Sequence, residues 1–497
     1  MNLPSRSIGD RRTPEALHAL RLQLGRRALL RGSGAGLAAL ALAQLAAADN
    51  ASDSQPYRDA ADDPKSALTH APTAKRAVHL FMSGGPSQLE LFDDKPLLRQ
   101  CNGEELPDSV RRGQRLTGMS GNQATLPLAG SKFKFARHGR SGASVSELLP
   151  YTAGVVDDLC IVRSLVTDAI NHDPAATFLF TGAENAGRPS LGAWLSYGLG
   201  DARRDLPEFC ALVTQGKGGQ PLYERLWGAG FLGARYQGVQ LRAGAAPVLF
   251  LDDPAGLDRA TRRRMLDALA AMHADDAARS GDAAPLERMQ RAELAFRMQM
   301  SVPEAADLAR EPQSTFDLYG EDARKPGTFA ANCLLARRLL ERGVRFVQLL
   351  HQDWDHHGGL PGAIVGECAQ TDRASAALVT DLKQRGMLDD TLVLWGGEFG
   401  RTCYSQGKLT ADDYGRDHHP RCTSVWLAGG GVRAGHVHGE TDEHGYNVVA
   451  DPVHVHDLNA TILHLFGFDH ERLVYRHQGR RYRLTDVHGE VVRGLLA

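Results

Sequence analysis

Eight acid and imidazole side chains stand in two short stretches of this 497-residue chain. Asp353, Asp355, His356 and His357 form the first, and Glu398, Asp417, His418 and His419 the second. Carboxylate oxygens with imidazole nitrogens and no thiolate suit a divalent cation. Zinc, manganese and iron come first, magnesium and calcium next. Such an ion polarises an ester oxygen or yields hydroxide near neutral pH. Eight ligands are too many for one ion, so part of the set stands behind the rest. Several ligand pairs are open within 353–357. The plainer alternative is a polar loop with capping residues.

A further imidazole, His172, precedes Asp173-Pro174 and an apolar run that ends at Thr181-Gly182. Asp173 as N-cap and Pro174 as first helical residue predict a helix closed by Gly182. His172 then sits just before a helix N-terminus, where the positive end of the dipole favours a bound anion. A loop histidine that only hydrogen-bonds fits that position equally well.

The elements that position these groups read as strands and helices in alternation. Thr391–Trp395 is a short apolar run of the kind found in a fully buried strand, followed by Gly396 and Gly397. Arg345–Leu350 is a second, and Ala77–Met82 a third, ended by the turn signal Ser83-Gly84-Gly85-Pro86. Further strands are expected at Leu159–Val162 and Thr423–Ala428. Helices are expected from Ser146 toward Pro150, through Cys333–Leu340 to Gly343, from about Asp372 to Arg385, and from Asp457 to Gly467. Strand–helix–strand spacing of this length implies parallel neighbours joined by a right-handed crossover. Both polar stretches, with Asp417–His419 carried on a loop, then lie beyond the carboxyl ends of strands, where open α/β sheets place their sites. Residues 201–340 read as a mainly helical insertion after one or two strands. In it Met265, Leu266, Leu269 and Met272 share one helical face, and Leu286, Met289, Phe296 and Met300 another. Residues 101–145 are loop-rich.

Composition bounds the rest. Hydrophobic residues make up 42%, a globular value, and a net charge of -2 gives no reason to expect nucleic acid or an anionic membrane as partner. The 7 cysteines show no CxxC spacing, which argues against a thiolate zinc site and a disulfide scaffold. Near the start, Gly25-Arg26-Arg27-Ala28-Leu29-Leu30-Arg31 has the twin-arginine pattern. An apolar, small-residue run to Ala47 and an A-x-A site at Ala46–Ala48 follow, too short for a good membrane span. Residues 1–48 are therefore expected to be a signal peptide, 49–75 a linker, and 76–497 the exported domain.

The motifs His79–Ser87 with Phe92-Asp93, Asn171–Ala175, Trp354–His357, Gly397–Thr402 and Gly415–Pro420 together resemble the DUF1501 family, over nearly the whole of 76–497. That family is assigned to the alkaline phosphatase/sulfatase superfamily. The resemblance implies an α/β fold with a doubly wound, mostly parallel sheet, alkaline-phosphatase-like, carrying the helical insertion. It also implies an exported bacterial protein. In sulfatases a buried strand followed by Asp-His-Gly supplies metal-site residues. Glu398-Phe399-Gly400 resembles this with Glu for Asp and Phe for His, and His418 or His419 could replace the lost imidazole. The acidic pair that sulfatases carry after their first strand is replaced by Gly84-Gly85, unless Glu90 or Asp93 substitutes. His172 occupies the place of the sulfatase nucleophile, so no residue there can become formylglycine.

Together these features predict an exported, periplasmic, metal-dependent hydrolase of phosphate or sulfate esters. Asp355, His357, Glu398, Asp417 and His418 would hold one or two ions. His172 would act as nucleophile, acid–base group or oxyanion contact, and Arg401 or Arg163 would clamp the anion. The expected substrate is a small-molecule or glycan ester. The expected partner is the twin-arginine export machinery, with no nucleic acid, and no membrane once the signal is removed. The alternative is a non-catalytic binding or structural protein on a sulfatase-like fold that recognises anionic glycans. A redox role finds no cysteine cluster or dinucleotide fingerprint.

Overall fold

The computed structural model describes residues 63–200, 205–214, 216, 219–220, 222–241, 258–280 and 284–497. The expected signal at 1–48 and most of the expected linker lie outside the described residues. The strands used below, in chain order, are β1 (Arg76–Met82), β2 (Phe135–His138), β3 (Ala143–Ser146), β4 (Leu159–Val166), β5 (Phe209–Val213) and β6 (Val239–Leu241). Then follow β7 (Phe346–His351), β8 (Thr391–Gly396), β9 (Gly400–Gln406), β10 (Gly415–His419), β11 (Thr423–Ala428) and β12 (His436–His438). The helices used below are α1 (His172–Thr181), α2 (Leu191–Leu199), α3 (Arg259–Ser280), α4 (Ala284–Ala306), α5 (Phe329–Glu341), α6 (Leu360–Gln384) and α7 (Val455–Leu465).

The main sheet runs β12-β4-β11-β8-β1-β7-β5-β6, with the short strand Val453–His454 also on β4. Every pairing is parallel except those of β11, which is antiparallel to both β4 and β8. The sheet is thus a mixed, mostly parallel α/β sheet, as the sequence predicts. Successive strand residues point to opposite faces, and here both faces are dry. Val78, Leu80 and Met82 of β1, with Val393 and Trp395 of β8, enter one core with α5 and α6. Ala77 and Phe81 of β1, with Leu392 and Leu394 of β8, enter the other with α1, α2 and α7. Burial on both faces is why these strands read as continuous apolar runs rather than as alternation.

Several local expectations are corrected. β7 and β8 are not neighbours, because β1 lies between them and pairs with both. α6 starts at Leu360, ahead of Asp372. Asp417–His419 lie on β10, paired with β9 in a separate two-stranded sheet, and not on a loop. Pro150 opens a short helix, Pro150–Gly154, and the stretch before it is β3. Within 201–340, β5 and β6 join the main sheet and α3 and α4 pair with each other. The expected apolar face of α3 does not pack. Leu266 is buried, but Met265, Leu269 and Met272 are 50%, 41% and 45% exposed. The aliphatic stems and guanidinium groups of Arg259 and Arg263 cover Phe296 of α4 instead. Among the described residues, no helix is long and apolar enough to cross a membrane.

A buried ion pair ties the β9–β10 hairpin to the main sheet. Glu90, on the short helix Gln88–Leu91 after β1, receives hydrogen bonds from Arg416 of β10, with Nη2 at 2.7 Å from Oε1, and from the Tyr414 hydroxyl at 3.0 Å. Both charged side chains are fully buried. Removing one partner strands the other charge in a dry site. Arg416→Met is therefore expected to cost about 3–5 kcal/mol, read as a lowered thermal midpoint. The double change Glu90→Leu/Arg416→Met should recover most of that loss.

Candidate metal centre

β1, β7 and β8 run parallel, so their carboxyl ends meet at one edge of the sheet. Each ends in a different device. β1 runs into Gly84 and Gly85, both with positive φ, at 115° and 65°. β7 runs into the loop that carries Asp355 and His357, anchored by the fully buried Trp354. β8 runs through Gly396 and Gly397 to Glu398. A Cβ on Gly84 would lie 2.6 Å from the Asp355 backbone nitrogen, so the loop after β7 can approach only a glycine there. α1 brings His172 to the same edge. Its N-cap is Asn171, and Asp173, the expected cap, pairs with Arg225 instead.

His172, Asp355, His357 and His418 form a group whose ligand atoms all lie within 4.8 Å of one another. Asp355 is its centre. His357 Nε2 lies 2.8 Å and His418 Nε2 3.4 Å from Asp355 Oδ1, while His172 Nε2 lies 3.1 Å from Oδ2. Each imidazole is turned the same way by an oxygen behind it. His172 Nδ1 is 2.6 Å from Glu398 Oε1, and His418 Nδ1 is 2.8 Å from the Ile170 carbonyl. His357 Nδ1 meets Gln406 Oε1. An oxygen acceptor at Nδ1 places the proton there and leaves Nε2 with a lone pair, as in metal-bound histidines. His172 Nε2 is also buried with no hydrogen-bond partner: it is close to Asp355 Oδ2 but out of line with it. Once His172 gives up its second proton, three inward Nε2 atoms and a carboxylate fit a divalent cation of borderline character.

The other residues singled out from sequence lie around this group. Glu398 is fully buried and its oxygens are taken up by protein donors: His172 Nδ1 and the Gly84 and Gly85 amides, at 2.9 to 3.3 Å. It stands behind His172 and outside the four-residue group. Asp417 turns away, its carboxylate accepting from the Thr117 and Ser120 hydroxyls and from the His418 amide at 2.7 Å. A register shift between Arg416 and His418 accompanies this, sending the Asp417 and His418 side chains to different partners. Arg401 is buried, and its guanidinium donates to the carbonyls of Gly84, Gly85 and Arg416 and, at 2.6 Å, to Asp355 Oδ1. That leaves it the partner of Asp355 rather than an open anion clamp. Arg163 faces Asp93 and the Gly439 carbonyl. Asp353 adopts φ 79°, and its amide donates to Gln220 Oε1 at 3.1 Å. His419 meets the Tyr446 carbonyl at 2.7 Å and stacks on its ring. Burial pushes both His419 and His356 down to about 4, so both are neutral at pH 7. Gln406 and the Ile170 carbonyl, which orient two imidazoles, carry no sequence signal of their own.

Electrostatics follow from this packing. Burial alone would lower His172, but the Asp355 and Glu398 carboxylates more than reverse it and hold its imidazolium up to about 9. Burial raises Asp355, but His172, His357, His418 and Arg401 together drive it far below the ordinary carboxylate range. His418 is lowered, chiefly by burial.

A doubly covered, mostly parallel sheet with a His/Asp group at its carboxyl edge defines an α/β protein with a candidate metal centre. Residues 74–496 match the model of the family described as "Protein of unknown function (DUF1501)", and the chain belongs to that family. No curated protein is matched by the sequence. Among solved structures, alkaline phosphatase from the Antarctic bacterium TAB5 is similar at 11% identity and a TM-score of 0.33, over 80% of this chain and 100% of that one. The lipoteichoic acid synthase LtaP from Listeria monocytogenes is similar at 10% identity and 0.30, over 82% and 78%. The phosphonate monoester hydrolase SpPMH from Silicibacter pomeroyi is similar at 14% identity and 0.25, over 65% and 69%. At such TM-scores the fold description rests on the strand order itself.

The raised His172 has a consequence for stability. Its ordinary pKa is about 6.5 and its folded value about 9. The stabilisation is complete below the lower value and is lost as pH rises through the upper one. Metal-free protein is expected to lose on the order of 3 kcal/mol between about pH 6.5 and pH 9.5, measured by urea unfolding after chelation. His172→Gln should flatten that dependence.

Proposed function

We propose that this protein is a metal-dependent hydrolase of phosphate or sulfate esters, working without a formylglycine nucleophile. The observation that carries the reading is the common orientation of three imidazoles. His172, His357 and His418 each have Nδ1 held by an oxygen and Nε2 turned toward Asp355. These four residues would hold the ion, with zinc, manganese or iron ahead of magnesium or calcium. When bound, the ion would supply Lewis-acid polarisation of an ester oxygen and ready ionisation of water near neutral pH.

The chain's own groups complete the site. Arg401 balances Asp355 and fixes its carboxylate, and Glu398 keeps the His172 proton on Nδ1. With a dication present, Asp355, Glu398 and Arg401 leave the ensemble one net positive charge, the sign an anionic ester requires. The first amides of α1 add their dipole beside His172. In the reaction, water adds to phosphorus or sulfur, the bond to the alcohol oxygen breaks, and the alcohol departs with a proton. No cysteine belongs to the group, which suits water rather than a thiolate as attacking group. Export through a twin-arginine signal at 1–48, a linker at 49–75 and a periplasmic domain at 76–497 belong to the same proposal.

Protein purified with its metal should lose turnover of aryl phosphate or sulfate esters on chelation and regain it with zinc or manganese. His357→Ala and His172→Ala should both lose the ion by elemental analysis and at least about 10²-fold in kcat/KM. Metal content and activity unaffected by both substitutions would sink the reading. Full metal content with no turnover of any ester would favour the binding-protein alternative.

A further inference from the structure

Beside the cluster lies a cavity of about 470 Å³, the size of a small-molecule site. His418 lines it and belongs also to the four-residue group. Ile170, whose carbonyl orients His418, and Asn171, the N-cap of α1, line it too. The Asn171 side chain makes no capping hydrogen bond. The cavity wall carries two arginines, Arg115 and Arg421, both exposed to solvent. Among the described residues, neither guanidinium is paired with a carboxylate. The one acid of the wall, Asp168, faces His454 Nε2 at 3.2 Å. Arg401 and Arg416, by contrast, are buried with their donors engaged by backbone and carboxylate oxygens. Two unengaged guanidinium forks in one concavity form an electropositive surface matched to carboxylate, sulfate or phosphate.

We propose that this cavity receives the alcohol portion of the ester and that this alcohol bears a second anionic group, held by Arg115 and Arg421. The assignment of the alcohol portion rests on the hydrolase reading; the anion site does not. Substrates would then be doubly anionic: an ester at the cluster and a carboxylate, sulfate or phosphate some way along the same molecule. Arg115 and Arg421 are binding residues in this scheme, remote from the bond that breaks. Their effect belongs in KM rather than kcat.

Glucuronate and glucose differ only in the carboxylate, and calorimetry with the metal-loaded full chain compares them directly. Glucuronate is expected to bind about tenfold or more tightly than glucose. Arg115→Gln/Arg421→Gln should erase the difference, and Arg115→Lys/Arg421→Lys should restore part of it. Equal binding of the two sugars, or a difference that survives in the glutamine variant, overturns the proposal. The corresponding 1-phosphates report on the hydrolase reading separately. Glucuronate 1-phosphate is expected to show a KM about tenfold below that of glucose 1-phosphate, with the ratio returning to about one in the glutamine variant. Turnover of both esters without that preference overturns the anion site and leaves the hydrolase standing. Arginine-dependent glucuronate binding with no ester turned over supports the anion site and removes the hydrolase.

Discussion

The Gly84–Gly85 turn at the end of β1 is the constraint from which the site hangs. Its two amides donate to Glu398, and its two carbonyls accept from Arg401. One short piece of backbone thus fixes an acid and a base, and each fixes a group of the cluster. Glu398 sets the tautomer of His172, and Arg401 sets the carboxylate of Asp355. The turn works only without side chains. A Cβ on Gly84 would strike the backbone of Trp354 and Asp355, and one on Gly85 would lie 2.8 Å from the Phe399 ring. Backbone dipoles held this way need no reorganisation when charge enters or leaves, which is what a preorganised polar site requires.

Phe399 has a clear physical place. Its ring is fully buried, with its centroid 5.0 Å from that of His172 and 4.4 Å from that of His418. It forms an apolar floor under two imidazoles rather than contributing a third donor. The imidazole above it comes from another strand, because β10 pairs His418 with Arg401 in register. Low dielectric beneath the rings lowers His418 and strengthens every charge contact above it. A side chain that ligates nothing therefore still helps to set the chemistry of the group.

The parts of this arrangement that sequence made legible are those governed by local pattern. Apolar runs of β1, β7 and β8, bounded by glycine, marked buried strands, and their parallel crossovers placed Asp355, His357 and Glu398 at one edge. The nearness of His172 and His418 came from recurring family motifs rather than periodicity. What sequence could not show is direction. Asp417 and His418 are adjacent, yet the hairpin's irregular register sends one to Thr117 and Ser120 and the other to Asp355. Glu398 looks like a ligand until its donors are seen to come from Gly84 and Gly85, far away in the chain. The apolar face expected on α3 failed for a related reason. Periodicity marks what could pack, while Arg259 and Arg263 already cover the partner surface on α4.

Charge balance explains why this group should exchange a proton for an ion. The Asp355 and Glu398 carboxylates stand together around His172, and Arg401 compensates one of them. One negative charge is left, and burying it uncompensated is costly. In the metal-free protein His172 supplies the missing positive charge by taking a proton, which is why both neighbouring carboxylates hold it up to about 9. His172, Asp355, His357 and His418 could hold a cation only in place of that proton, so ion affinity and proton affinity would draw on one charge vacancy. A protonated His172 pairs in charge with Asp355, closing the group on itself. A deprotonated His172 presents three lone pairs and a carboxylate at once. The fold therefore builds one charge vacancy that a proton or a cation can answer, and only a deprotonated His172 leaves its Nε2 free beside those of His357 and His418.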